Sequence, residues 1–304
     1  MSDGEPGAEA RPYGIAPPGY RLPDATRVGC VRLQVGDLAR SLAWYQRVLG
    51  LRVLEHVAGR AALGAHDEPG PLVELVERPG AAPAPRGGRP GLYHYAILLP
   101  ERAALGRFVQ HLAAIGERAG ASDHRVSEAL YLQDPDNLGI EVYADRPRAT
   151  WQQRGGELVM ATEPLDLEDL VRAAGAETWR GMPAGTTIGH VHLHVGELER
   201  ARAFYHAGLG LDQMVWSYPG ALFLSAGGYH HHLGLNTWAA GRTPAGPDDA
   251  RLLEWELVVP GAADVQDALG SLAAAGHAIA AAADGGTVPD PWGTVLRVRA
   301  APAS

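Results

Sequence analysis

"VGCVRLQVGDLARSLAWYQRVLGL" (residues 28–51) aligns without a gap on "IGHVHLHVGELERARAFYHAGLGL" (188–211), at a constant offset of 160 residues. Cys30 falls on His190, Leu38 on Leu198, Tyr45 on Tyr205 and Gly50 on Gly210. "GLYHYAILLP" (91–100) falls on "RLLEWELVVP" (251–260) at the same offset. Repetition at a fixed period is the signature of a structure built from copies of one unit.

Each copy has an inner order. An alternating stretch, 28–36 or 188–196, reads as a strand. A helix follows, with Asp37 or Glu197 near its start and Gly50 or Gly210 past its end. Short β-rich segments come next: "LRVLEHV", "AALGAH" and "LVELVE" in the first half, "LDQMVWSY", "ALFLSAGG" and "HHHLGLNTW" in the second. The pattern then restarts with a strand at 91–99, a helix at 101–116, and strands near 129–133 and 138–143. The last copy predicts a strand at 252–259, a helix at 262–276, and strands at 278–282 and 294–299. The expectation is an α+β chain of four βαβββ modules, over 27–78, 89–146, 187–238 and 250–300.

These group along the chain as a first module pair (27–146) and a second (187–300). The connector 147–186 carries a predicted helix, "DLEDLVRAAGA" (166–176). Residues 1–26, rich in Gly, Pro and Ala, read as a loose tail. One βαβββ module forms a curved sheet with an open concave face, and two must pair to close a cleft. The four modules therefore predict two curved-sheet clefts, with every second strand residue pointing into one of them.

Composition narrows the function. The chain has 304 residues, 46% hydrophobic and 20% charged, which suffices for a real core. A net charge of −9 argues against a nucleic-acid partner, since such proteins carry a basic face. No apolar run approaches the ~20 residues that cross a bilayer, and no charged-then-apolar leader opens the sequence. One cysteine, Cys30, excludes an internal disulfide and makes the cytoplasm the default location.

Histidine placement carries the chemistry. His190, His192 and His194 share one face of their strand, while Val191, Leu193 and Val195 make a core stripe on the other. His94 sits at the start of an equally apolar strand, where a lone histidine is more often a satisfied core residue than a ligand. Glu141 is flanked by Ile140 and Val142; a carboxylate pointing into a cleft needs a partner, and a metal ion is one. "GGYHHHLGLN" (227–236) sets His230, His231 and His232 at the edge of another strand, as a solvated edge or as one side of a metal site.

"SDHRVSEALYLQDPDNLGIE" (122–141) resembles the signature of the vicinal oxygen chelate superfamily, and within it the extradiol ring-cleaving dioxygenases. That signature runs from a His, through an apolar residue and Tyr, to an acidic residue and Pro, then to Glu. His124, Leu130–Tyr131, Asp134–Pro135 and Glu141 fit it. Ser122 and Asn137 depart from it, Asn137 mildly, because Asn substitutes for Gly where a turn needs positive φ. The resemblance is strongest to two-domain bacterial catechol 2,3-dioxygenase-like proteins and spans 28–300.

The resemblance implies metal ligands of a His on each of two paired first strands and a Glu on the last strand of one of them. If the modules pair in chain order, the first half offers Cys30, His94 and Glu141, and the second His190, Glu254 and Arg297. Neither set is complete. If the second module pairs with the third, His94, Glu141 and His190 form a full set, suited to Fe(II), with Mn(II), Ni(II) or Zn(II) as other candidates. The outer pair would then hold Cys30, Glu254 and Arg297.

The resemblance further maps His232 to the acid–base residue and His124 and Tyr131 to residues that assist substrate or oxygen. It implies an extradiol dioxygenase acting on a catecholic substrate with O2. Two other readings stand beside it: a metal-dependent lyase or isomerase on the same scaffold, and a non-catalytic small-molecule binding protein. With four modules in one chain, either a monomer or a homodimer is allowed.

Overall fold

Residues 13–302 are described by a computed structural model. The first module runs through β1 (Arg27–Val35), helix α1 (Leu38–Trp44), β2 (Arg52–Val57), β3 (Arg60–Gly64) and β4 (Val73–Glu77). The second comprises β5 (Gly91–Leu98), α2 (Arg102–Ile115), β6 (Gly120–Asp123), β7 (Ser127–Gln133) and β8 (Gly139–Asp145). The connector holds a small hairpin, β9 (Gln153–Arg154) and β10 (Glu157–Leu158), and the expected helix as α3 (Leu167–Ala173). The third module is β11 (Thr187–His194), α4 (Leu198–Ala201), β12 (Asp212–Val215), β13 (Ala221–Ser225) and β14 (Leu233–Asn236). The fourth is β15 (Arg251–Val259), α5 (Ala262–Ala274), β16 (Ala280–Ala282), β17 (Gly285–Pro289) and β18 (Val295–Ala300).

The modules assemble into two curved eight-stranded sheets, an α+β arrangement with two concave faces. The inner sheet has the order β12-β13-β14-β11-β5-β8-β7-β6, and the outer sheet β16-β17-β18-β15-β1-β4-β3-β2. Each sheet thus takes one module from each half of the chain. The inner sheet joins the second and third modules through the antiparallel pair β5–β11, and the outer joins the first and fourth through β1–β15. On β11, Val191 and Leu193 are fully buried and pack in the common core with Val195, while the histidines between them face the inner cleft. Tyr95 and Ile97 do the same for β5.

Of the expected tail, residues 1–12 lie outside the described residues. Residues 13–26 lie against the third module: Ile15 bridges Gln213, Arg21 pairs with Asp212 at 2.7 Å, and Leu22 is buried. No helix among the described residues is long and apolar enough to cross a membrane.

Within each half, the modules that do not share a sheet are locked by one motif used twice. Asp134 Oδ1 accepts from the backbone N–H of Asp136 and Leu138 at 2.9 and 2.8 Å, and Oδ2 accepts from the Tyr45 hydroxyl at 3.1 Å. Asp290 repeats it with Trp292 and Thr294 at 2.9 and 2.8 Å and with Tyr205 at 3.0 Å. Each aspartate closes the turn into the last strand of its module. The turn before β8 needs a left-handed residue and uses Asn137 (φ 62°), as its spacing predicts; the turn before β18 uses Gly293.

Both phenol–carboxylate contacts are buried, so removing one hydroxyl strands an acceptor. Tyr45→Phe is expected to lower the unfolding free energy by about 1–3 kcal/mol, measured by urea denaturation. Burial pushes the Asp134 carboxyl up to about 7, against the hydrogen bonds it accepts. The folded chain therefore holds that proton more tightly than the unfolded chain does. The resulting stabilisation is complete below the ordinary carboxyl range of about 3.9 and is lost as pH rises through 7. Asp134→Asn should flatten the fall in melting temperature across that window, and an unchanged slope would contradict this assignment.

Candidate metal centre

Four neighbouring strands bring one row of side chains into the inner cleft. Tyr131 on β7 lies opposite Glu141 on β8, Glu141 opposite Ala96 on β5, and Ala96 opposite His190 on β11. His94 stands two residues before Ala96 and so shares its face. His94, Glu141 and His190 each offer a ligand atom within 4.8 Å of the others. Glu141 Oε2 is 3.0 Å from His94 Nε2 and 3.3 Å from His190 Nε2. Two donors about 2.1 Å from one ion and at right angles to each other would lie about 3 Å apart, so the spacing fits a shared cation.

The hydrogen bonding points the same way. His94 Nε2 is buried and makes no hydrogen bond despite its closeness to Glu141, because the geometry is wrong for one. A lone pair aimed beside the carboxylate rather than at it suits a common third atom. All three residues are at most 5% exposed. Burial drives the His190 imidazole down to about 4, against the upward pull of Glu141. Burial also opposes ionisation of Glu141, but His190 and His94 hold its pKa well below the usual range. The centre is therefore a buried carboxylate flanked by the His190 and His94 rings, with His190 Nε2 in hydrogen-bond contact with it at 3.3 Å. Two imidazoles and a carboxylate in one place are a donor set for a divalent cation.

Gly189, beside His190, leaves room for the Tyr143 ring: a Cβ there would stand 1.7 Å from the tyrosine hydroxyl. His192 also faces the cleft but is held aside, since the Asn236 amide donates to its Nε2 at 3.0 Å. The same amide's oxygen takes the Nδ1–H of His194 at 2.6 Å.

A cavity of about 310 Å³ opens over His94, Glu141 and His190. Its apolar walls come from Tyr93, Met160, Phe223 and Trp238, and its polar side from His124, Tyr131, His192 and His231. His124 and Tyr131 meet on the polar side of the cavity. His124 Nδ1 donates to the Ala161 carbonyl at 2.6 Å, which leaves Nε2 to accept the Tyr131 hydroxyl at 2.5 Å.

His232 is not brought to the cavity. Its Nδ1 accepts from the Ala226 N–H at 3.2 Å and contacts the Ser225 hydroxyl at 3.0 Å, and burial drives its pKa to about 3. His231 lines the cavity instead, its ring centroid 4.0 Å from that of His190. The reason is local. Residues 226–232 form a turn and bends before β14 begins at Leu233, so strict alternation does not extend back through the histidines.

Strand alternation alone also misses Met160–Thr162, which reach the cavity from the connector, and Tyr218 from a loop. Among the described residues, the matching positions of the outer sheet are filled by charge pairs. Glu254 lies 3.2 Å from Arg32 and 3.8 Å from Arg297, and Cys30 donates its N–H to Glu256 at 3.1 Å.

Comparisons with known proteins agree with this architecture. The Glyoxalase/Bleomycin resistance protein/Dioxygenase superfamily matches residues 27–142. A Bacillus subtilis (strain 168) protein named catechol-2,3-dioxygenase is 48% identical over 237 residues, covering 77% of this chain and 82% of that one. Two solved structures share the fold at low identity. One, from Bacillus subtilis subsp. subtilis str. 168 and provisionally described as a dioxygenase, has a TM-score of 0.64, 13% identity and coverage of 94% and 87%. The other, glyoxalase I from Zea mays, has a TM-score of 0.53, 19% identity and coverage of 91% and 92%.

Glu141→Gln tests the charge argument twice. It should weaken divalent-metal binding by more than the roughly 10–100-fold typical of disturbing a residue that merely supports a ligand, read by metal analysis after dialysis. In metal-free protein the same change should lower stability near neutral pH, because His190 and His94 favour the ionised carboxyl in the folded chain. Unchanged stability of the metal-free form would show that these neighbours do not hold the carboxylate.

Proposed function

This chain belongs to the glyoxalase/bleomycin resistance protein/dioxygenase superfamily, and we propose that within it the chain is an extradiol ring-cleaving dioxygenase. The reaction takes a catechol-type substrate and O2 and opens the ring beside a hydroxylated carbon. The observation that carries the reading is the buried cluster of His94, Glu141 and His190, roofed by a cavity that holds both apolar walls and further bases. The relative named catechol-2,3-dioxygenase supports it.

Fe(II) held by His94, Glu141 and His190 would supply open positions for two vicinal substrate oxygens and O2, together with the redox chemistry between them. The remaining work belongs to the chain. Phe223, Trp238 and Met160 give an aromatic ring an apolar slot and keep water out. His231 faces the substrate space as a neutral imidazole, its pKa held well below the usual value by burial, so it can accept a hydroxyl proton at a ring nitrogen. It takes the acid–base place that the sequence pattern assigns to His232. The His124–Tyr131 pair presents a phenol whose proton is held by an acceptor, a hydrogen-bonding group for the substrate or oxygen side.

The same donor set also suits Mn(II), Ni(II) or Zn(II), so a lyase or isomerase is the second reading. Reconstitution with Fe(II) without air, followed by catechol and O2, tests both. Yellow ring-opened product that disappears in His190→Ala and Glu141→Ala is the expected outcome. One bound metal lost in both variants, without colour, would move the chemistry to the second reading. No stoichiometric metal would leave a small-molecule binding protein.

A further inference from the structure

Three polar side chains form a line that runs back from the cavity wall and does not include His94, Glu141 or His190. His231 Nδ1 lies 2.7 Å from His230 Nδ1, and His230 Nε2 lies 2.9 Å from Asp145 Oδ1. His230 is fully buried, packed at 4.0 Å against the Tyr229 ring and at 5.4 Å against Trp151. The same Asp145 oxygen accepts the Tyr229 hydroxyl at 3.2 Å, and Tyr229 meets the Tyr143 hydroxyl at 2.6 Å. Asp145 closes β8, the strand that carries Glu141, and the histidines open onto β14.

The donors and acceptors in this line follow once Asp145 is a carboxylate and His230 carries a single N–H. The carboxylate only accepts, so that N–H is on Nε2 and donates to Asp145, and His230 Nδ1 holds a lone pair. At 2.7 Å from that lone pair, His231 Nδ1 must be the donor. Its other nitrogen, Nε2, is left without a proton. We propose that Asp145 and His230 are positioning residues that lock His231 as the Nδ1–H tautomer, so that the nitrogen left for the cavity is a base.

An isolated histidine favours the opposite tautomer, with the proton on Nε2. Without the lock, His231 would present an N–H donor to the cavity in place of an acceptor. The arrangement follows the logic of a carboxylate orienting a catalytic imidazole, with a second imidazole inserted between them. Its catalytic consequence rests on the dioxygenase reading, whereas the tautomer itself does not.

The tautomer can be read without turnover. Chain labelled with 15N-histidine, examined metal-free and loaded with diamagnetic Zn(II), should show a pyrrole-like Nδ1 and a pyridine-like Nε2 for His231 in long-range 1H–15N spectra. The reverse pattern in wild type would overturn the proposal, whether or not the chain cleaves catechol. His230→Leu should release His231 to its Nε2–H form. His230→Gln, whose amide oxygen can accept from Nδ1–H, should restore the wild-type pattern. Tyr229→Phe leaves both His contacts in place and should not change it. With catechol and Fe(II), His230→Leu should lower kcat at least about tenfold with KM changed less than about threefold, and His230→Gln should recover most of the loss. Equal losses in the Leu and Gln variants, with the tautomer unmoved, would also overturn it.

Discussion

The antiparallel seam between β5 and β11 is the contact on which the rest depends. It places His192 opposite His94 and His190 opposite Ala96, and so brings candidate ligands from two distant parts of the chain onto one concave face. β8 lies parallel to β5 on the other side and contributes Glu141 in the same row. The cluster is then a consequence of register: a shift of one residue along the seam would turn His190 into the core and a valine into the cleft. Buried Val191, Leu193, Tyr95 and Ile97 on the reverse faces set that register through hydrophobic burial.

The two sheets share a plan and differ in chemistry. In the inner sheet the central positions hold imidazoles and one carboxylate. In the outer sheet the carboxylates meet arginines: Glu74 and Glu254 share Arg32, and Glu256 pairs with Arg299. Opposite charges there pair carboxylate with guanidinium, while the inner cluster pairs its carboxylate with imidazoles, a set that could hold a metal ion. The two faces thus share a plan but carry different side-chain chemistry.

How much was legible in the sequence follows from backbone regularity. His190 lies in a strand whose alternation assigned its face, whereas His94 and Glu141 were singled out by the resemblance to the vicinal oxygen chelate signature. Asn137 was legible because a turn needing positive φ accepts few residue types. His231 was not, because Gly227 and Gly228 open a turn with positive φ, and the three histidines leave the strand pattern before β14 begins. Met160–Thr162 sit in the connector, where no periodicity relates a residue to a cavity formed by remote strands. β17 also escaped the pattern: two glycines and a terminal proline weaken its strand signal, and it is held by pairing with β18.

The pairing of outer modules with each other and inner modules with each other makes the chain concentric. All strands of the inner sheet come from one continuous stretch, whereas the outer sheet is sewn from two separate stretches, with Arg27 opposite Val258. On a ribosome the first module emerges long before its partner and has no edge to pair with, while the inner sheet can close as soon as β14 is out. Vectorial synthesis would therefore build this protein from the middle outward, and leave β1 with an unpaired edge until the last module is released.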